Sequence, residues 1–216
     1  MRVRRILAAI VAVTACSRAK PAPTATGATA ATAAVAPADT ARPWRQPGDK
    51  IDSILPMPEY LRRFRAGLTE PHRVVGGADT RKALARTVLA GLAARDTAGL
   101  TALLVTPAEF GWLVFPDHLY ARPPYELDPA VFWMQLQQES VKGLHRVLER
   151  YGGKPLTFQS LECRRDTTQI TTGPVRLWSS CLVAFQVGDS VETHRLFGSI
   201  VKRDGRMKLL SFATDF

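Results

Sequence analysis

Apolar residues recur at helical spacing along the first two thirds of this chain, and along its last third they alternate with polar ones. Pro58 opens a short amphipathic segment with Leu61, Phe64 and Leu68 on one face and Arg62, Arg63 and Arg65 on the other. It reads as a lid helix docked on its own domain or as a membrane-surface helix. Leu84, Val88 and Leu92, flanked by Ala85 and Leu89, form a stripe on a helix through Arg95, with Asp79 as the expected cap. Asp96 or Thr97 caps the next segment, which carries Leu100, Leu103 and Leu104. Thr106-Pro107-Ala108-Glu109 spells a capping box with proline at the first helical position, opening a helix with Phe110, Trp112, Leu113 and Phe115. Pro123-Pro124 breaks regular structure between Pro116 and Pro129; Asp128-Pro129 then starts a long helix to about Tyr151, and Gly152-Gly153 stops it.

After Pro155 the period changes, with β-branched and aromatic runs separated by turn residues at Thr172-Gly173-Pro174, Gly188-Asp189 and Asp204-Gly205. The pattern predicts an α+β fold in which N-terminal helices and one long helix pack on a curved, cone-like, four-stranded antiparallel meander. Its strands cover about 156–165, 176–187, 191–202 and 207–215. A first hairpin turning near Thr172 sets Cys163 opposite Cys181, Leu161 opposite Val183 and Gln159 opposite Phe185. Both cysteines then fall on the apolar face, as a disulfide or as two buried free thiols.

The amino terminus carries a different signal. Arg2, Arg4 and Arg5 precede an apolar stretch from Ile6 to Ala15 that is well short of the roughly 20 residues a membrane-spanning helix needs. Val13-Thr14-Ala15-Cys16 resembles the lipobox of bacterial lipoproteins. That resemblance implies diacylglycerol on the Cys16 thiol, cleavage before Cys16 and acylation of the new terminus, which together hold a protein on a membrane durably. An ordinary signal peptide cut nearby is the alternative, and it exports the chain as well. Ser17 after the cysteine resembles the outer-membrane sorting pattern, placing the protein in the cell envelope, facing the periplasm if the source has two membranes. Residues 1–15 are thus expected to be leader, and 16–50 a lipidated cysteine followed by a disordered Ala/Thr/Pro-rich tether reaching on the order of 25 to 30 Å. A single α+β domain is expected over 51–216.

Charge and oxidising context narrow the partners. The formal net charge is +10, from 29 Lys and Arg against 19 Asp and Glu. In an envelope that excess is a solvated basic surface with no dedicated ligand or one drawn to anionic phospholipid or glycolipid head groups, and nucleic acid is not expected. No metal-ligand spacing, nucleophile motif or phosphate loop stands out, so no metal and no cofactor is expected; His72, His118, His145 and His194 are scattered.

Two constellations remain. A turn at Asp204-Gly205 sets His194 opposite Asp215, a pair able to act as an oriented general base in a small lyase, isomerase or hydrolase. Trp112, Phe115, Tyr120, Tyr125 and Trp133 gather around the proline-rich loop, together with Phe132, where a ligand site would lie. The stretch Ala85 to Leu104, with Leu-Ala-Gly-Leu-Ala-Ala-Arg-Asp-Thr-Ala-Gly-Leu-Thr-Ala-Leu-Leu, together with the closing strands, resembles the nuclear transport factor two-like superfamily, which includes ketosteroid-isomerase-like enzymes. The resemblance implies a sheet wrapped around a pocket. The leading expectation is a membrane-anchored envelope lipoprotein that binds an apolar small molecule or an envelope protein. An enzyme using His194 with Asp215 and a structural envelope component are the alternatives.

Overall fold

The computed structural model describes residues 54–163 and 173–216. Cys16, the leader and tether expected over 1–50, the domain start at residue 51 and the turn residue Thr172 lie outside the described residues. Within them the chain is mixed helix and sheet.

Helices form where their end signals sit. α1 (Met57–Arg65) carries Pro58 in its first turn. α2 (Arg81–Ala94) is capped by Thr80, whose hydroxyl accepts from the Ala83 amide at 3.1 Å. Asp79, the expected cap, stands one residue too early and pairs with Arg206 instead. Asp96 caps α3 (Thr97–Ala102) by accepting from the Gly99 amide at 2.8 Å.

The capping box closes in both directions: the Glu109 amide donates to Thr106 Oγ1 at 3.1 Å, and Glu109 Oε2 accepts from the Thr106 amide at 2.8 Å. From there the backbone winds wider than an α-helix, as a π-helix over Glu109–Val114. This turns Phe110, Leu113 and Val114 inward together. Two 3₁₀ turns, Phe115–Asp117 and Leu119–Ala121, continue the path. Asp128 caps α4 (Pro129–Tyr151), whose end is sealed by the Gly152 amide donating to the Leu148 carbonyl.

The single four-stranded meander is not what the chain builds. Two of the expected strands break in the middle, giving two three-stranded antiparallel sheets. One has the order β1 (Leu156–Glu162), β3 (Leu182–Val187), β4 (Ser190–His194). The other is ordered β2 (Arg176–Trp178), β5 (Ile200–Arg203), β6 (Arg206–Leu209). β2 runs on into β3 and β4 into β5, so both sheets share one long hairpin, bent where it crosses from one to the other.

The register gives the physical reason for the bend. Trp178 pairs with Ile200 on one side of the break and Val183 with His194 on the other, so residues 179–182 face residues 195–199. The returning run carries one residue more than the outgoing one, a bulge that bends both strands. Ser180 takes up the mismatch with a left-handed φ of 50°. The turns at Gly188-Asp189 and Asp204-Gly205 form as expected. At the latter both central residues have positive φ, which suits the right-handed twist of the flanking strands.

Cys163 and Cys181 lie at disulfide distance, 2.06 Å between sulfurs, and Leu161 pairs with Val183 as expected. Phe185 pairs with Phe158 rather than Gln159, because the register slips between Phe158 and Ser160. The core follows the two sheets. α2 and the second half of α4 (Val147, Tyr151) close over Val183 and Phe185, whereas α1, the π-helix and the first half of α4 close over Leu177 and Val201. Where α4 crosses the C-terminal segment it carries Ser140 and Gly143, both buried, and Ser140 Oγ accepts from the Phe212 amide at 3.2 Å.

Candidate functional site

A cavity of about 420 Å³ opens where the two sheets part. Its polar wall is the strand break itself, Ser179 and Ser180 from one run and Arg195, Gly198 and Ser199 from the other, continued by Ser211. Tyr120, Phe132, Leu136 and Leu210 supply the apolar wall, with Glu139 also in the lining. Nothing in the local sequence of any one element makes this space; the bend creates it.

His118 sits in the lining, 6% exposed, between the two 3₁₀ turns. Its Nδ1 accepts the Tyr120 amide at 3.1 Å, so the neutral ring carries its proton on Nε2. Aromatic rings enclose it: Tyr120 at 4.9 Å, Phe132 at 5.2 Å and Phe115 stacked nearly parallel at 6.4 Å. Burial, and secondarily the positive charge of Arg122, pushes its pKa down to about 4. At neutral pH it is an uncharged donor.

Arg195 is held by its backbone and one arm. The amide donates to Asp215 Oδ2 at 3.1 Å, and Nη2 donates to the Thr214 carbonyl at 2.8 Å. Its Nε is shielded from solvent and has no hydrogen-bond partner. A second depression, about 520 Å³, shares Ser180 and Arg195 with the first and is otherwise lined by Glu162, Cys163, Leu182 and Asp215.

The five aromatics singled out from the sequence go to different places. Tyr120 lines the cavity. Phe115 is fully buried in the core over Leu177 and Val201, and Trp133, partly buried, packs against that core 5.0 Å from Phe110. Trp112 stacks under the Arg65 guanidinium at 5.2 Å, while Arg65 donates to the Gly111 carbonyl. Tyr125 is 54% exposed and touches the outer face of Tyr120. Phe132 joins Tyr120 in the lining.

His194 and Asp215 do come near each other, but not across a ladder, since β6 ends at Leu209. Their closest approach, Nδ1 to Oδ1, is 3.9 Å, beyond hydrogen-bond distance. The nearer carboxylate is Glu192, 3.2 Å from Nε2, which also accepts from the Tyr151 hydroxyl at 2.7 Å. The Tyr151 hydrogen bond holds the Glu192 carboxyl below its usual range; burial opposes it, and smaller contributions from His194 and Arg150 add to the lowering. Burial and the same bond raise the Tyr151 pKa. With Phe216 packed 5.0 Å from the His194 ring, this network anchors the C-terminal residues to β4 and α4. Among the described residues no group of His, Cys, Asp and Glu is arranged to hold a metal ion.

Sequence reasoning passes over Arg195, His118 and the serines as site residues. One signal is there to read: Ser179-Ser180 and Gly198-Ser199 interrupt otherwise alternating strand runs, and small polar pairs inside a strand mark a break. Comparison with known proteins gives no matching family model, no matching curated protein and no matching solved structure.

Proposed function

We propose that this protein is a lipid-anchored bacterial envelope protein that works by binding, with the cavity at the sheet junction as its site and a small, largely apolar molecule as its ligand. The lipobox-like run ending at Cys16 supports the anchor, and the basic balance of the chain supports a position beside anionic head groups. One observation carries the binding reading: a space in the size range of small-molecule sites, apolar on one wall and donor-rich on the other. A long helix laid over antiparallel strands beside a pocket also suits the resemblance to cone-shaped folds.

The full chain, expressed with its leader in a bacterial envelope and purified in lipid nanodiscs, tests both halves. The mass of the N-terminal peptide should equal that of a triacylated peptide starting at Cys16, and native mass spectrometry should find excess mass that leaves on denaturation. An unmodified terminus sinks the anchor; a bare mass in every preparation sinks the binding role.

The rival reading, a small lyase, isomerase or hydrolase, has one observation behind it: His194 lies between Glu192 and Asp215 with Tyr151 beside them. Against it, His194 is absent from the lining of either cavity. A ligand found in native mass spectra that persists unchanged in the wild type, and equally in His194→Ala, decides for binding.

A further inference from the structure

We propose that the ligand of the junction cavity is a small organic anion, a carboxylate on an aromatic or similarly flat apolar body, whose charged end meets Arg195. This rests on the binding reading above and names its ligand class.

The first argument is the balance of donors and acceptors. Arg195 can only donate, and its guanidinium has no carboxylate partner among the described residues. One arm is taken by the Thr214 carbonyl; Nε is desolvated and unpaired. His118 adds a second donor, since its Nδ1 is occupied by the Tyr120 amide and Nε2 keeps the proton. That ring is buried yet lines the cavity, with no partner for Nε2 among the described residues. The hydroxyls of Ser179, Ser180 and Ser199 have no hydrogen-bond acceptor there either and are free to turn toward a ligand oxygen. Glu139 is the one carboxylate in the lining, and it is exposed.

Charge points the same way. Arg122 stands close enough to disfavour protonation of His118, and its own Nε is also buried and unpaired. Arg122 adds positive potential near His118 without lining the space; Arg195 is the one guanidinium in a lining that contains no buried acid, and donors left without an acceptor favour a ligand that supplies one. A planar carboxylate matches the fork of a guanidinium better than a spherical ion does. The rest of the ligand is set by the opposite wall, where Tyr120 and Phe132 stand edge to face, 5.1 Å apart, above Leu136 and Leu210. Rings of that kind favour a flat apolar body.

The experiment compares 2-naphthoate with its neutral isosteres 2-naphthamide and 2-naphthylmethanol, titrated by fluorescence into the full chain in phosphatidylcholine nanodiscs, with empty discs subtracted. The naphthoate should bind at least about tenfold more tightly than either neutral probe. Arg195→Gln should remove that preference, whereas Arg81→Gln, which lies over Trp178 away from the cavity, should keep it. The wild-type comparison stands even if Arg195→Gln fails to fold. Equal or reversed affinities overturn the anion inference and leave the binding role intact. If no probe binds, a neutral co-purifying molecule in the native spectrum overturns the anion inference alone, and a bare mass overturns both.

Discussion

The main-chain oxygen of Phe212 occupies the space in which a side chain at Gly143 would begin. α4 crosses the C-terminal segment so closely that the first carbon of any side chain overlaps backbone, which has no rotamer to yield. Gly143→Ala should therefore cost about 3 kcal/mol or more in urea unfolding, despite the higher helix propensity of alanine. Gly91→Ala, which meets the branched end of the buried Leu100 side chain rather than backbone, should cost less. Equal costs would mean that α4 does not cross there.

Lys208 Nζ and Glu109 Oε2 are 2.9 Å apart, and both side chains are almost wholly buried. Glu109 also accepts from the amides of Thr106 and Val75, so it is the better satisfied partner. Lys208→Met should lower stability by about 3 kcal/mol, because it strands a buried carboxylate. Glu109→Ala should lower it further by orphaning two amides as well. A double-mutant cycle in guanidinium should show strong coupling; additive effects would remove the pair from the core.

His118 makes stability depend on pH in one direction. In the unfolded chain its pKa is near the ordinary 6.5, and in the folded chain it is about 4. As pH falls between those values the unfolded state takes up a proton that the folded state refuses, so stability is lost on acidification. The loss amounts to about 3 kcal/mol by pH 4, with full stability present above about pH 7. His118→Asn, which keeps an acceptor near the Tyr120 amide, should unfold with a flatter pH profile over that window. An unchanged slope would show that the ring titrates normally.

The cysteines close a loop with a sequence separation of 18. Replacing both, as C163S/C181A, should lower stability by about 3 kcal/mol. Cys181 adjoins Ser180, so the same double variant should also weaken any ligand held at the junction. Thermal unfolding with and without reductant checks the first point, and naphthoate titration the second.

Short-range structure is legible in this sequence and long-range structure less so. The capping box at Thr106, the cap at Asp128, the turns at Gly188-Asp189 and Asp204-Gly205 and the pairing of Leu161 with Val183 all rest on residues a few positions apart or on one hairpin count. The partner of Phe185 and the break in the meander each depend on where a single extra residue is absorbed, which side-chain alternation does not reveal. Aromatic residues near the proline-rich loop point to the right region, but Tyr120 alone of the five faces the cavity. Arg195 is invisible as a site residue in the sequence because the role proposed for it comes from its having no carboxylate partner for the guanidinium among the described residues.

The extra residue within 195–199 does more than bend a hairpin. It makes the cavity a matter of counting rather than of chemistry: deleting one residue from that stretch, with every apolar wall residue untouched, should let the two runs pair without interruption and narrow the gap between the sheets. A pocket written into chain length in this way has no motif to carry it, so it can be lost or resized by one codon's insertion or deletion while the helices and the core stay as they are.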